Sequence, residues 1–135
     1  MEANVQILEI NTTNHAEMID ITSEIESITS KSNIKSGICT IFVPHTTAGI
    51  TINENADPSV KKDILTTIEK LIPWNEKYSH IEGNSPAHIK SSLVGHSLNI
   101  IIEEGKILLG SWQGIFFCEF DGPRNRKIYV QLISK

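Results

Sequence analysis

The sequence has no apolar run near the roughly 18 residues that a membrane-spanning helix needs. It also has no surplus of basic residues, since 12 Lys and Arg stand against 16 Asp and Glu, a formal net charge of −4. Proteins that bind nucleic acids use such a surplus to contact phosphates, so we expect neither a nucleic-acid partner nor a membrane. Residues 1–5 carry neither the basic nor the apolar region of a secretion signal, which favours a cytoplasmic protein.

Cysteine is scarce as well, and low-complexity segments are absent. Cys39 and Cys118 each lie in an apolar run, where a cysteine is usually a small buried hydrophobic residue. A chain of 135 residues without a linker is most simply one domain, 1–135, and is long enough to build a core without disulfides or a structural metal.

The spacing of apolar residues alternates between strand and helix periods along the chain. It predicts strands at 5–10, 38–43, 50–52, 97–103, 106–121 and 127–133, and helices over 18–30, 58–71 and 87–94. Asp57 before Pro58 is a helix-start signal, because Asp caps free N–H groups and Pro suits the first helical position. Strands at both ends with helices between them favour an α+β fold with an antiparallel or mixed sheet.

Three histidines lie where the chain enters or leaves regular structure: His45, His80 and His88. Imidazoles from separate loops can converge on a divalent metal, although this spacing matches no compact metal-binding motif. The alternative for each is a surface or hydrogen-bonded residue. We expect that simpler role for His15 and His96.

Polar residues also concentrate at the end of one predicted strand, where Asn53 and Glu54 precede Asp57. Such positions can hold a general base or orient a metal ligand, whereas a helix cap is the alternative for Asp57. Glu119 lies inside an apolar strand and needs water, a metal or a cation as partner.

A basic cluster follows the last turn of the chain, at Arg124, Arg126 and Lys127. Guanidinium groups bind phosphates in a two-pronged geometry, so this cluster is a candidate site for a phosphorylated small molecule. The alternative is that these charges keep the turn soluble and pair with Asp121.

Four long motifs resemble the YjbQ family: HTTAGITINENADP at 45–58, HIEGNSPAHIK at 80–90, LGSWQGI at 109–115 and FCEFDGPR at 117–124. The resemblance covers nearly the whole chain in one register. Ser111 stands where the family usually has Thr, and Pro86 is a second mild departure.

The resemblance implies a single α+β domain with a curved, mainly antiparallel, sandwich-like β-sheet covered by about three helices. It also implies a homotrimer and a divalent metal, zinc or alternatively magnesium, held by His45, His80 and His88. The implied activity is weak thiamine-phosphate synthesis, a transfer in which a pyrimidine methyl diphosphate joins a thiazole phosphate and pyrophosphate is released.

Our first hypothesis for such a metal-assisted enzyme assigns roles to the polar residues. Three would orient ligands or move protons: Glu82, Asn53 and Glu54. Five would bind the phosphorylated substrate: Thr46, Thr47, Asn84, Gln113 and Arg124. Two alternatives stay open, a metal-dependent hydrolase of a phosphorylated or amide compound and a non-catalytic metabolite-binding protein.

Overall fold

The computed structural model describes residues 5–135, and residues 1–4, where no secretion signal is expected, lie outside them. The described chain contains eight strands and three helices. Their order is β1 (Gln6–Asn11), β2 (Glu17–Asp20), α1 (Thr22–Ser32), β3 (Gly37–Phe42), β4 (Ala48–Glu54), α2 (Pro58–Leu71), α3 (Ser85–Val94), β5 (Ser97–Glu103), β6 (Lys106–Ile107), β7 (Gln113–Glu119) and β8 (Asn125–Ser134).

The strands form two antiparallel sheets. The larger has the order β1-β8-β3-β5-β6 and the smaller has the order β2-β7-β4. Ile41 and Val130 of the larger sheet pack in one buried cluster with Ile50 and Phe117 of the smaller sheet and Ile25 of α1. This confirms the predicted α+β, sandwich-like fold with its three helices.

Strand β7 is buried on both faces. Its residues Ile115 and Phe117 belong to the core between the sheets, while Phe116 and Cys118 join a second buried cluster. Ile64 of α2 packs on that second cluster. A strand covered on both faces needs apolar residues at successive positions, which explains why this segment shows little polar alternation.

Helix α2 begins and ends where the sequence predicts. The carboxylate of Asp57 accepts a hydrogen bond from the backbone N–H of Ser59 at 2.9 Å, so Asp57 is the predicted cap. Helix α3 begins at Ser85, two residues before its predicted start. None of the helices within residues 5–135 is long and apolar enough to cross a membrane.

Two predicted elements are wrong in part. The helix predicted from 18 begins only at Thr22, because residues Glu17–Asp20 pair with β7 as strand β2. The long strand predicted over 106–121 is divided into β6 and β7 by residues 108–112. Pairing with a distant strand decides the conformation of residues 17–20, whereas residues 108–112 belong to no strand, and local apolar spacing indicates neither outcome.

The two cysteines are buried and free, as predicted. Burial raises the pKa of the Cys39 thiol to about 11 and that of Cys118 to about 12. Both thiols are therefore protonated at neutral pH and serve as core residues.

Candidate active site

His80 and His88 lie side by side at the start of α3. Their ring centroids are 5.3 Å apart with the planes at 85°, an edge-to-face contact. His88 is in the first turn of the helix, and His80 precedes it in the loop from α2. The carboxylate of Glu82 lies 3.9 Å from Nε2 of His80. Three of the predicted site residues therefore come together here.

Asn84 connects this pair to the turn after β7. Its side-chain N–H₂ donates to Oδ2 of Asp121 at 2.9 Å, and the same oxygen accepts from a guanidinium nitrogen of Arg124 at 3.1 Å. The side chain of Arg124 is 49% exposed and remains accessible to a ligand. Oδ1 of Asn84 is buried and has no hydrogen-bond partner in the described chain. An unpaired buried acceptor of this kind is rare and is typical of a site that a ligand or water completes.

His15 and Trp74 also belong to this site, although the sequence did not indicate them. Nε2 of His15 lies 3.6 Å from Oδ1 of Asp121, and its ring meets that of Trp74 edge-on at 4.4 Å. His15 is in the loop before β2, where the simpler role was expected. No local motif marks either residue, since the fold brings them to Asp121 from distant parts of the chain.

Beneath Asp121 lies a buried ion pair between Glu119 and Arg126, which are 0% and 2% exposed. Nε of Arg126 donates to Oε1 of Glu119 at 2.8 Å, and a second guanidinium nitrogen donates to Oε2. Thr12 donates its hydroxyl to Glu119 at 2.7 Å, and the backbone N–H of Asp121 donates at 3.0 Å. Glu119 thus has the cationic partner that its sequence position requires.

Burial alone would raise the pKa of Glu119. The hydrogen bonds from Arg126, Asp121 and Thr12, together with the charge of Arg126, outweigh burial and hold that pKa below its ordinary value. The carboxylate is therefore ionised. Arg126 is 2% exposed and donates to Glu119 and Thr47, which contradicts the interpretation of Arg126 as an accessible phosphate ligand.

The predicted substrate-binding threonines differ in position. Thr47 is buried, and both its hydroxyl and its carbonyl oxygen accept hydrogen bonds from Arg126, at 2.9 and 3.1 Å. Its hydroxyl therefore positions the buried ion pair. Thr46 is exposed, so its side chain is accessible to a ligand.

Among the described residues, His45 does not join the His80–His88 pair in a group that could hold a metal. Its Nε2 accepts a hydrogen bond from the backbone N–H of Lys127 at 2.9 Å, at a point on β8 beyond the last residue paired with β3. Burial and the charge of Arg126 lower the pKa of His45, so the ring is neutral at pH 7. A neutral imidazole has one nitrogen lone pair, and here that lone pair accepts from Lys127.

Asn53, Glu54 and Gln113 lie at the other end of the smaller sheet. Glu54 pairs with Gln113, whereas Ala48 at the opposite end of β4 pairs with Glu119. Six residues of strand span ~20 Å, so one chain does not bring these three predicted residues to the His80–Asp121 site.

Their side chains make local contacts instead. Oδ1 of Asn53 accepts from the N–H of Glu54 at 2.7 Å, and Glu54 accepts from the N–H of Asp57 at 3.2 Å. Oε1 of Gln113 accepts from the N–H of Gly110 at 2.8 Å. These bonds shape the turns that flank β4 and β7.

A bound metal ion needs several donor side chains grouped around it. Among residues 5–135, no three His, Cys, Asp or Glu side chains are grouped so as to hold one. Catalytic zinc sites use three protein ligands, and the pair of His80 and His88 supplies two. The predicted set of three histidines therefore does not assemble among residues 5–135 of one chain.

Comparison with known sequences identifies the family. The sequence model described as "UPF0047 protein YjbQ-like" matches residues 6–135. The chain belongs to the YjbQ family. Its YjbQ-family relatives include a UPF0047 protein of Methanocaldococcus jannaschii, 62% identical over 93% of this chain and 91% of that protein. YugU of Bacillus subtilis is 53% identical over 96% of this chain and 99% of that protein.

Solved structures of the YjbQ family have the same fold. An uncharacterised member from Clostridium acetobutylicum superposes with a TM-score of 0.93 at 52% identity and covers 95% of this chain and 99% of that one. A protein of unknown function from Sulfolobus solfataricus superposes with a TM-score of 0.94 at 36% identity and covers 99% of both chains. The arrangement of β1–β8 and α1–α3 is therefore that of the family.

Proposed function

We propose that this chain is a small enzyme that acts on a phosphorylated small molecule at the site formed by His80, His88, Asn84, Asp121 and Arg124. The observation that carries the proposal is the contact between His80 and His88, next to a carboxylate–guanidinium pair and an unpaired buried amide oxygen. Packing alone does not require such a concentration of polar groups at one edge of a fold.

Each group has a role that its chemistry supports. Imidazole transfers protons near neutral pH more readily than other side chains, which suits His80 and His88 to general acid–base work. The half-exposed guanidinium of Arg124 is held by Asp121 through two hydrogen bonds, to its carboxylate and its carbonyl oxygen, and can bind a phosphate. Oδ1 of Asn84 would accept a hydrogen bond from a hydroxyl or amino group of the substrate.

Thiamine-phosphate synthesis is the specific reaction we propose to test first. Both substrates carry phosphate groups, which matches the accessible Arg124, and the departing pyrophosphate needs a proton or a cation to stabilise its charge. A divalent metal, zinc or magnesium, remains part of the proposal. When bound, it would supply a positive charge that stabilises the departing pyrophosphate.

We expect purified protein to form thiamine phosphate from hydroxymethylpyrimidine diphosphate and thiazole phosphate, because the site combines proton-transferring and phosphate-binding groups. Product would be oxidised to its fluorescent thiochrome derivative and measured after incubation with zinc, magnesium or EDTA. p-Nitrophenyl phosphate in parallel reports hydrolysis, and metal analysis of the wild type and of His80→Ala reports whether a metal is held by the pair.

The outcomes separate the three candidate functions. Release of nitrophenol without thiamine phosphate would replace the transferase with a hydrolase. Binding of either thiamine precursor in calorimetry without any turnover would contradict the enzyme proposal and favour a metabolite-binding protein.

The proposed homotrimer is supported by the outer face of the five-stranded sheet. Two rows of large apolar side chains cross its strands in register, separated by a polar row at Thr40 and Asn99. All six are 36–59% exposed: Ile7, Tyr129 and Phe42 in one row, and Ile133, Ile38 and Ile101 in the other. A solvent-facing antiparallel sheet is normally polar outside, so an apolar patch of this size is typical of a protein interface.

Replacing Phe42 and Ile101 together with glutamate is expected to dissociate the trimer, because each copy would have to bury two unpaired carboxylates. Light scattering after size exclusion would show the mass falling from three times the 15.0 kDa chain to one. Leu71→Glu is the matched control, since Leu71 is 74% exposed on α2, outside this sheet. A wild-type mass of one chain would show that the homotrimer is wrong.

A further inference from the structure

Lys90 is a buried cation outside the candidate active site. It lies on α3 and is 3% exposed, and its ammonium group donates to Oε2 of Glu69 on α2. The side chain of Glu69 is 53% exposed. An ammonium group has three N–H donors. Within residues 5–135, the ammonium group of Lys90 donates to one acceptor, the carboxylate of Glu69. Burying such a charge is costly, so an apolar residue would serve packing better at this position.

A cavity of about 440 Å³ adjoins this lysine. Its apolar wall consists of Leu65 and Ile68 of α2 and of Phe120, which is 2% exposed. Lys90 and the exposed Lys70 supply two positive charges, and Glu69 supplies one negative charge. The volume lies in the range of cavities that hold small ligands, and the charges of its wall favour an anion.

We propose that this cavity binds a small organic anion with an apolar body. Its carboxylate or phosphate head would accept hydrogen bonds from Lys90, while the half-exposed Glu69 turns toward solvent. The apolar body would lie against Leu65, Ile68 and Phe120. None of these residues belongs to the His80–Asp121 site, so the proposal stands or falls independently of the proposed function.

The test uses the full chain and four small probes in titrations followed by ¹⁵N–¹H NMR. Phenylacetate and phenyl phosphate carry an anionic head and an apolar body, 2-phenylethanol lacks the charge, and inorganic phosphate lacks the body. We expect both organic anions to shift the amide signals of Leu65, Ile68 and Phe120 and to bind at least about tenfold more tightly than either comparison probe, because hydrogen bonds to charged groups contribute strongly. The tighter of the two identifies the preferred head group.

Two substitutions separate ligand binding from a purely structural ion pair. Lys90→Met should abolish binding of both organic anions, whereas Glu69→Gln should strengthen it several-fold by removing the competing carboxylate. Lys62→Met and Asp63→Asn are matched controls, because both residues are exposed on α2 outside the cavity. If Lys90→Met fails to fold, Glu69→Gln decides alone. Equal binding of 2-phenylethanol, or affinity that Glu69→Gln leaves unchanged, would overturn the proposal.

Discussion

Glu119→Ala is expected to lower the free energy of unfolding by about 3–5 kcal/mol, because it leaves the guanidinium of Arg126 charged and unpaired in the core. Arg126 is 2% exposed, and two of its nitrogens donate to this carboxylate. The hydroxyl of Thr12 loses one of its two acceptors in the same substitution and keeps the carbonyl oxygen of Arg124. Urea denaturation of wild type and variant at one fixed protein concentration measures the difference.

The double variant Glu119→Leu with Arg126→Met is the informative comparison. It removes both charges together, so we expect it to recover most of the stability that the single variant loses. Glu103→Ala, an exposed carboxylate on β5, should stay within about 0.5 kcal/mol of wild type. A single variant that also stays within that range would show that Arg126 finds another partner or solvent.

The same pair predicts how stability depends on pH. The pKa of Glu119 in the folded protein is below its ordinary value, despite burial, because of Arg126, Asp121 and Thr12. Its contribution is therefore complete above the ordinary value of 4.5 and is lost as pH falls through the lowered folded value. The double variant should lose less stability than wild type over that acidic range.

Glu119 also shows what a sequence can predict about a site. A carboxylate in an apolar strand requires a partner, and that requirement follows from solvation alone. The identity of the partners does not follow from it, because Thr12 is 107 positions from Glu119 in the sequence and only the fold brings the two side chains together. The same limit applies to His15, which the fold brings to Asp121.

Local signals were sufficient where a segment's own residues decide its structure. The cap at Asp57 and the apolar spacing after it predict α2 with the bounds that the structure shows. Residues Glu17–Asp20 have no such signal, and their pairing with β7 makes them a strand. Closeness within one sequence motif does not imply closeness in space. Glu54 follows Thr47 by seven positions, but the length of strand β4 separates the two residues.

His88→Ala is expected to reduce kcat/KM for thiamine-phosphate formation about 100-fold, because a positioned acid–base group contributes at least that much. The neighbouring Ile89→Ala on the same helix is the matched control, since Ile89 is 38% exposed. Circular dichroism and thermal melting of both variants exclude unfolding. Activity of His88→Ala at the wild-type level in a folded protein would remove the His80–His88 pair from the mechanism.

His45→Ala distinguishes two hypotheses about the metal site: one in which three histidines hold the metal, and one in which His80 and His88 hold it without His45. The lone pair of His45 accepts from Lys127 in this fold, so its loss should cost about 1 kcal/mol of stability and leave kcat/KM far closer to wild type than His88→Ala does. Kinetics and metal content would be measured together. A loss of both metal and activity equal to that of His88→Ala would mean that His45 acts with the pair, either after leaving Lys127 in the same chain or from another copy in the trimer.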